Sequence, residues 1–129
     1  MQGLIGPLKE LAEFEELCKN KKKDAGMIRV CGCVNSQKSH MMYAIGDGCK
    51  YKVIACSSET KAKQIYEEYR FLDNNTYLYP AKDFLFYKAD IRSKELVKQR
   101  MEGIQAVLSG EPVTVVTSLD GFMDHLAPK

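Results

Sequence analysis

Long apolar runs are missing from this sequence. Stretches such as Val113 to Val116 are far too short to span a bilayer, so no membrane partner is expected. Met1 is not followed by the basic, apolar and small-residue pattern of a leader, so no signal peptide and a cytoplasmic setting are expected. An excess of charge of one sign is missing too. Nineteen basic and 17 acidic residues leave +2, which gives no whole-domain footprint for nucleic acid. Cysteine pairs of the C-x-x-C kind are absent. The five cysteines (Cys18, Cys31, Cys33, Cys49 and Cys56) and two histidines (His40 and His125) suggest no metal site. The expected environment is a reducing one, with Cys31 and Cys33 as small buried hydrophobes on one face of a strand. No internal repeat or low-complexity stretch is visible.

What is present is an ordinary globular composition, 45% hydrophobic and 28% charged over 129 residues, which excludes global disorder. The expectation is one domain over residues 1–129. At this size roughly two-thirds of the extended chain's surface can be buried, so no metal or disulfide is needed to stabilise the core. The charge is uneven: residues 1–65 carry 11 basic and 7 acidic groups, residues 66–129 carry 8 and 10. The Lys21-Lys22-Lys23 run reads as a solvated loop, the alternative being a patch that contacts phosphates.

The apolar spacing predicts a helix over Leu8–Lys19 with Pro7 at its start, then a strand over Met27–Val34. A helix follows from Gln37 to Ile45, stopped by Gly46-Asp47-Gly48. Tyr51–Cys56 is a second strand, and Ser57 or Ser58 caps a helix running to Leu72 with Ala62, Ile65, Tyr66, Tyr69 and Leu72 inward. After an Asp73-Asn74-Asn75 turn, Thr76–Tyr79 is a third strand. Residues 81–90 read as irregular. A long helix from Ile91 or Arg92 to Leu108, a strand over Val113–Thr117 and a helix capped by Ser118 and reaching Leu126 complete the chain. Strands alternating with helices imply βαβ units, hence an α/β fold with a small, mainly parallel sheet and helices on both faces. Ala127-Pro128 stops that helix and no further strand is read before Lys129, so either a small complete sheet or a fragment of a longer, multidomain protein is expected.

In such a fold ligands bind beyond the carboxyl ends of the strands. After the predicted first strand comes Gly32-Cys33-Val34-Asn35-Ser36-Gln37-Lys38-Ser39, close to the phosphate-loop pattern G-x-x-x-x-G-K-[ST]. The second glycine is replaced by Gln37. That glycine lets backbone N–H groups approach phosphates without a side chain in the way, so Gln37 is expected to block the loop. Lys38 would retain the charge and Ser39 the hydroxyl for magnesium. The bland readings are a solvated lysine at a helix start and a helix-cap hydroxyl. A nucleotide hydrolase also needs an acid at a strand end, yet the strands end Cys56-Ser57-Ser58, Tyr79-Pro80 and Thr117-Ser118. No catalytic residue and no metal ligand are therefore assigned. Glu67-Glu68 and the Asp120/Asp124 pair read as solvated helix faces. Tyr77, Tyr79, Phe84, Phe86 and Tyr87 read as packing aromatics, with base stacking as the alternative.

The run Tyr79-Pro80-Ala81-Lys82-Asp83-Phe84-Leu85-Phe86-Tyr87, followed by Glu95-Leu96-Val97-Lys98-Gln99-Arg100-Met101, resembles the F-P-A-W-E-x-L-P-Y and E-I-x-x-Q-R-L runs near the N-terminus of bacterial transcription-repair coupling factors (Mfd). Val115–Met123 and Ala62–Leu72 resemble that family's strand with its short helix, and its second helix. The resemblance covers about Arg29 to Pro128. Lys82 stands where the family has tryptophan, and the family's Ser-Pro pair is lost near Ile91-Arg92.

The resemblance implies a UvrB-like first domain: a RecA-like, three-layer P-loop fold of the helicase domain 1 type whose phosphate loop has decayed (Gly32, Asn35, Ser36, Gln37, Lys38 and Ser39 here). It implies no ATP hydrolysis and no cofactor in this part, with ATP and magnesium used by the parent protein's motor domains. Partners implied are other domains of the parent chain and DNA, with UvrA and RNA polymerase reached through regions outside these residues. The DNA-probing β-hairpin of UvrB-like proteins has no room between Tyr87 and Glu95. Two other readings stay open: an active ATP-binding helicase-type domain that tolerates Gln37, and a stand-alone flavodoxin-like binding domain.

Overall fold

A computed structural model describes residues 5–22, 26–82 and 90–124. They form two compact units, Met1–Asp47 and Gly48–Lys129.

The first unit is helical. Pro7 sits in the first turn of α1 (Gly6–Lys9), where its missing N–H is harmless. The chain breaks at Glu10 and restarts on the Leu11 carbonyl, which accepts the N–H groups of Phe14 and Glu15, opening α2 (Ala12–Lys22). One helix is expected over Leu8–Lys19; the structure has two, because this break lets both Ile5 and Phe14 reach the core. They bury against Ala44, with Leu8, Cys18, Met41 and Tyr43 packed around them. The Lys21 ammonium donates to the carbonyls of Ile45 (2.6 Å) and Asp47 (3.0 Å), closing the C-terminal end of α3 (Asn35–Ile45). Lys21 is thus on a helix and exposed, with its ammonium on two protein carbonyls; Lys23 lies outside the described residues.

The strand expected over Met27–Val34 is absent. Residues 26–32 and 34 are exposed and Cys33 is half-buried, with no strand among them. Gly32 has φ +84°, a conformation no strand uses, and a strand without a ladder partner leaves its backbone groups to solvent.

The second unit holds the sheet: β1 (Tyr51–Cys56), β2 (Thr76–Tyr79) and β3 (Val113–Ser118), all parallel in the order β1-β3-β2. Val53 and Tyr77 flank Val115, while Ile54 and Leu78 flank Val116. Because side chains alternate, these two rows face opposite sides. The helix α4 (Glu59–Arg70) covers the second row, where Ala62 and Val116 are fully buried with Cys56, Ile54, Ile65 and Leu78 around them. On the other side runs α5 (Asp90–Leu108). Its Gly103 packs on β2, where a Cβ would make ordinary contact with the Tyr79 ring at 3.7 Å. The short α6 (Leu119–Met123) follows β3 directly. The structure is therefore α/β with a small parallel sheet and helices on both faces, as the alternation of elements implies.

One residue ties the amino end of this sheet. At the amino ends, Asp73 accepts from Lys52 (2.8 Å), Thr114 (3.0 Å) and the Asn75 N–H (3.1 Å), and its carbonyl accepts from Thr76 (2.6 Å). All three strands thus meet one turn residue. Burial raises the Asp73 pKa, but the Lys52 ammonium and the two further hydrogen bonds outweigh it and hold the carboxyl below its ordinary value. No helix among the described residues is long and apolar enough to cross a membrane.

Candidate functional site

The phosphate-loop residues sit in the first unit, at the start of α3. Gly32 lies in the bend before it. Asn35 and Ser36 open the helix. The Gln37 side chain turns back, its Oε1 accepting the Val34 N–H at 3.3 Å. Lys38 folds the same way, its ammonium 3.0 Å from the Asn35 Oδ1. Ser39 is 3% exposed, so it faces inward rather than toward a ligand. The structure thus brings Gln37 and Lys38 onto the helix start itself. A phosphate loop needs backbone N–H groups turned toward an open cradle. Here the Gln37 amide oxygen holds one N–H of the loop and the Lys38 charge is turned onto Asn35. As arranged, these residues do not fit a phosphate. The predicted order of strand, loop and helix is reduced to loop and helix.

The carboxyl ends of the strands carry a different constellation. Arg100 on α5 donates from Nη1 to the Pro80 carbonyl (2.7 Å) and to the Asp124 Oδ2 (2.8 Å), and from Nη2 to the Tyr79 hydroxyl (2.6 Å). Its guanidinium lies over the Tyr79 ring, 4.2 Å from the centroid. The Arg100 and Asp124 side chains are only 11% and 14% exposed. Asp124 is therefore a half-buried partner of Arg100, not the fully solvated helix-face residue expected. It also accepts the Lys82 N–H at 3.0 Å. Burial raises its pKa, but the Lys82 N–H and Arg100 outweigh this and hold it below the ordinary value. Burial, with Asp124 nearby, pushes the Tyr79 phenol up against the opposing charge of Arg100.

A second knot lies beside it. Glu59 accepts from the Ser118 hydroxyl and from the Ala81 N–H. Ser118 in turn accepts the Gly121 N–H at 3.0 Å, so the predicted cap of the last helix is present and is also bound to α4. Gly121 is needed here: a Cβ would come within 2.6 Å of Thr117 Oγ1 and 3.1 Å of the Tyr79 carbonyl.

These knots border an open groove of about 1220 Å³ between α4, α5 and α6, the place where parallel sheets hold ligands. Its walls carry Glu59, Glu67, Glu95, Asp120 and Asp124 against Lys63 and Lys82. Glu59 and Asp124 are bound to protein donors, and no group of carboxylates, cysteines or histidines able to hold a metal occurs among the described residues. The arrangement joins strands to helices. Across the sheet is an apolar groove of about 350 Å³ lined by Val53, Val115, Ile104, Val107, Leu108 and Phe122. Val53, Leu108 and Phe122 are 58%, 63% and 59% exposed.

Sequence reasoning missed the Arg100 knot. Asp124 reads as a solvated helix-face residue and Arg100 enters only through the resemblance, since no local spacing links positions so far apart in the chain. Of the aromatic set, Tyr77 and Tyr79 are half-buried on β2, consistent with packing; Phe84, Phe86 and Tyr87 lie outside the described residues. Comparison with family models, curated proteins and solved structures finds no match to this chain.

Proposed function

We propose that this chain is part of a transcription-repair coupling factor, and that it forms a RecA-like, UvrB-like region that hydrolyses no nucleotide. In that reading it is a scaffold. It supports the UvrA-recruiting module and packs against other domains of a parent DNA translocase, in the cytoplasm, with DNA and RNA polymerase met by other parts of the parent. The observation that carries the reading is the Arg100 knot. Arg100 belongs to the Glu95–Met101 run of the resemblance, and it binds Tyr79 and Pro80, the opening residues of the other run. The two runs are thus joined in space, which gives a physical reason for their occurring together in one chain.

Two features support the scaffold role. Gln37 and Lys38 close on the start of α3 instead of leaving a phosphate cradle. The apolar groove exposes Val53, Leu108 and Phe122 together, a surface suited to burial against neighbouring domains and less suited to a stand-alone flavodoxin-like module.

The test is a calorimetric titration of Mg-ATP and Mg-ADP into the chain and into Gln37→Gly. Binding by neither, or by the glycine variant alone, is the expected result. Micromolar affinity of the unaltered chain, about −8 kcal/mol, would replace this reading with an ATP-binding helicase-type domain.

A further inference from the structure

The parallel ladder decides which backbone groups of β1 are used. The Lys50 carbonyl accepts the Val113 N–H at 2.9 Å, and Tyr51 stands opposite Val113 in the register. Hydrogen bonding alternates along a strand, so Lys52, Ile54 and Cys56 bond to β3. The N–H and C=O groups of Tyr51, Val53 and Ala55 point away from it. β1 is an outer strand, and among the described residues no turn, loop or cap hydrogen bond reaches these three. All three are exposed.

The two outer strands differ. β2 is four residues long and runs into Pro80, and Arg100 holds the Tyr79 hydroxyl and the Pro80 carbonyl. Short length, a proline and a covering helix are the usual guards of a sheet edge. β1 has six residues in unbroken register, with neither bulge nor proline. Its one charged side chain, Lys52, is turned onto Asp73 of its own chain at 2.8 Å. An unguarded edge of this kind is a template for another strand.

We propose that this strand is β1 of a second copy: two chains pair antiparallel about a two-fold axis at Val53, joining their sheets in the order β2-β3-β1-β1-β3-β2. A two-fold axis makes one patch complementary to itself. In antiparallel pairing, residues that exchange both hydrogen bonds must both point outward. Val53 opposite Val53 of the second copy meets this condition, and so does Tyr51 opposite Ala55. Every outward group of the three residues then has a partner. Charge and length select this register. Centred on Lys52, the pairing would set Lys52 against Lys52, and like charges directly opposite destabilise. Centred on Ile54, it would carry Tyr51 past the end of the other strand. Centred on Val53, Lys52 faces Ile54 and Lys50 faces Cys56. The second copy extends the sheet in its own plane, so the apolar groove beside α5 is widened and not filled. The inference therefore does not rest on the proposed function.

Sedimentation velocity and amide hydrogen exchange of the whole chain test it. The expected species has twice the chain's 14.6 kDa at high concentration and dissociates on dilution. With association, exchange at the Tyr51, Val53 and Ala55 amides slows, while the Lys52, Ile54 and Cys56 amides, already bonded to β3, do not change. Val53→Lys and Val53→Glu each set like charges across the axis and are expected to be monomers. Their equal mixture is expected to regain the doubled mass, because position 53 then meets its opposite charge. A monomer up to millimolar concentration overturns the proposal. So does a dimer whose three amides stay open, which is packing through the apolar face. Protection of the three amides in a monomer also overturns it, since the edge is then closed by the chain itself, for example by Met27–Val34. Charge variants that dimerise alone, or a mixture that stays monomeric, overturn the pairing at Val53.

Discussion

A single guanidinium joins the end of β2, the body of α5 and the residue after α6. Arg100 meets Tyr79, Pro80 and Asp124 with both Nη atoms while stacking on a ring. Removing it leaves the half-buried Asp124 carboxylate with the Lys82 N–H but without its cation, and takes a donor from the Pro80 carbonyl, a loss of a few kcal/mol for a largely desolvated pair. Arg100→Ala is expected to lower unfolding stability by about 3 kcal/mol in urea titration, and Arg100→Lys to recover little, because an ammonium cannot copy the planar fork. A loss under about 1 kcal/mol in the alanine variant would refute this weight. The carboxylates add a pH dependence. Asp73 and Asp124 both titrate below the ordinary aspartate value in the folded chain, near 3.9 when unfolded. The unfolded chain therefore takes up protons first as pH falls. Their stabilisation is complete above the ordinary value and is lost as pH drops through it towards the lowered folded values. Melting temperatures are expected to be flat from about pH 6 to 5 and to fall steeply below about pH 4, with Asp73→Asn flattening the acid limb.

The elements show where sequence patterns suffice. Tyr51–Cys56 and Thr76–Tyr79 have the predicted bounds, and Val113–Ser118 is one residue longer than read. Each is a short apolar run closed by a turn or cap, and each has a ladder partner. Met27–Val34 has the same local pattern and no strand. The difference is pairing, which local sequence does not encode, together with a left-handed Gly32. The candidate loop was legible as a motif but not as a geometry: nothing in G-x-x-x-x-Q-K-S says that Gln37 will bond backward to Val34. The Ser118 cap was legible because capping is local; its bond to Glu59, far off in the chain, was not. Ser118→Ala removes both, and a loss of about 1–2 kcal/mol in thermal unfolding is expected. Ser118→Asn, which can cap but not reproduce the Glu59 contact, should restore only part.

At the scale of the molecule, the sheet, its α4-side core and both tied ends lie wholly within Gly48–Lys129. A chain beginning at Gly48 is expected to keep a cooperative melt and its far-ultraviolet strand signal; a noncooperative melt of that chain would show that the sheet depends on residues 1–47. The strand order has a consequence for synthesis. Among the described strands β3 is made after the other two and is the central one, pairing Tyr51 with Val113 on one side and Thr76 with Thr114 on the other. β1 and β2 never pair with each other. Until Val113–Ser118 has left the ribosome, the two earlier strands have no ladder to join, so nearly the whole unit must emerge before its sheet can begin. A chaperone or a slow stretch of translation would act on this protein in that interval, while two orphan strands wait for the third.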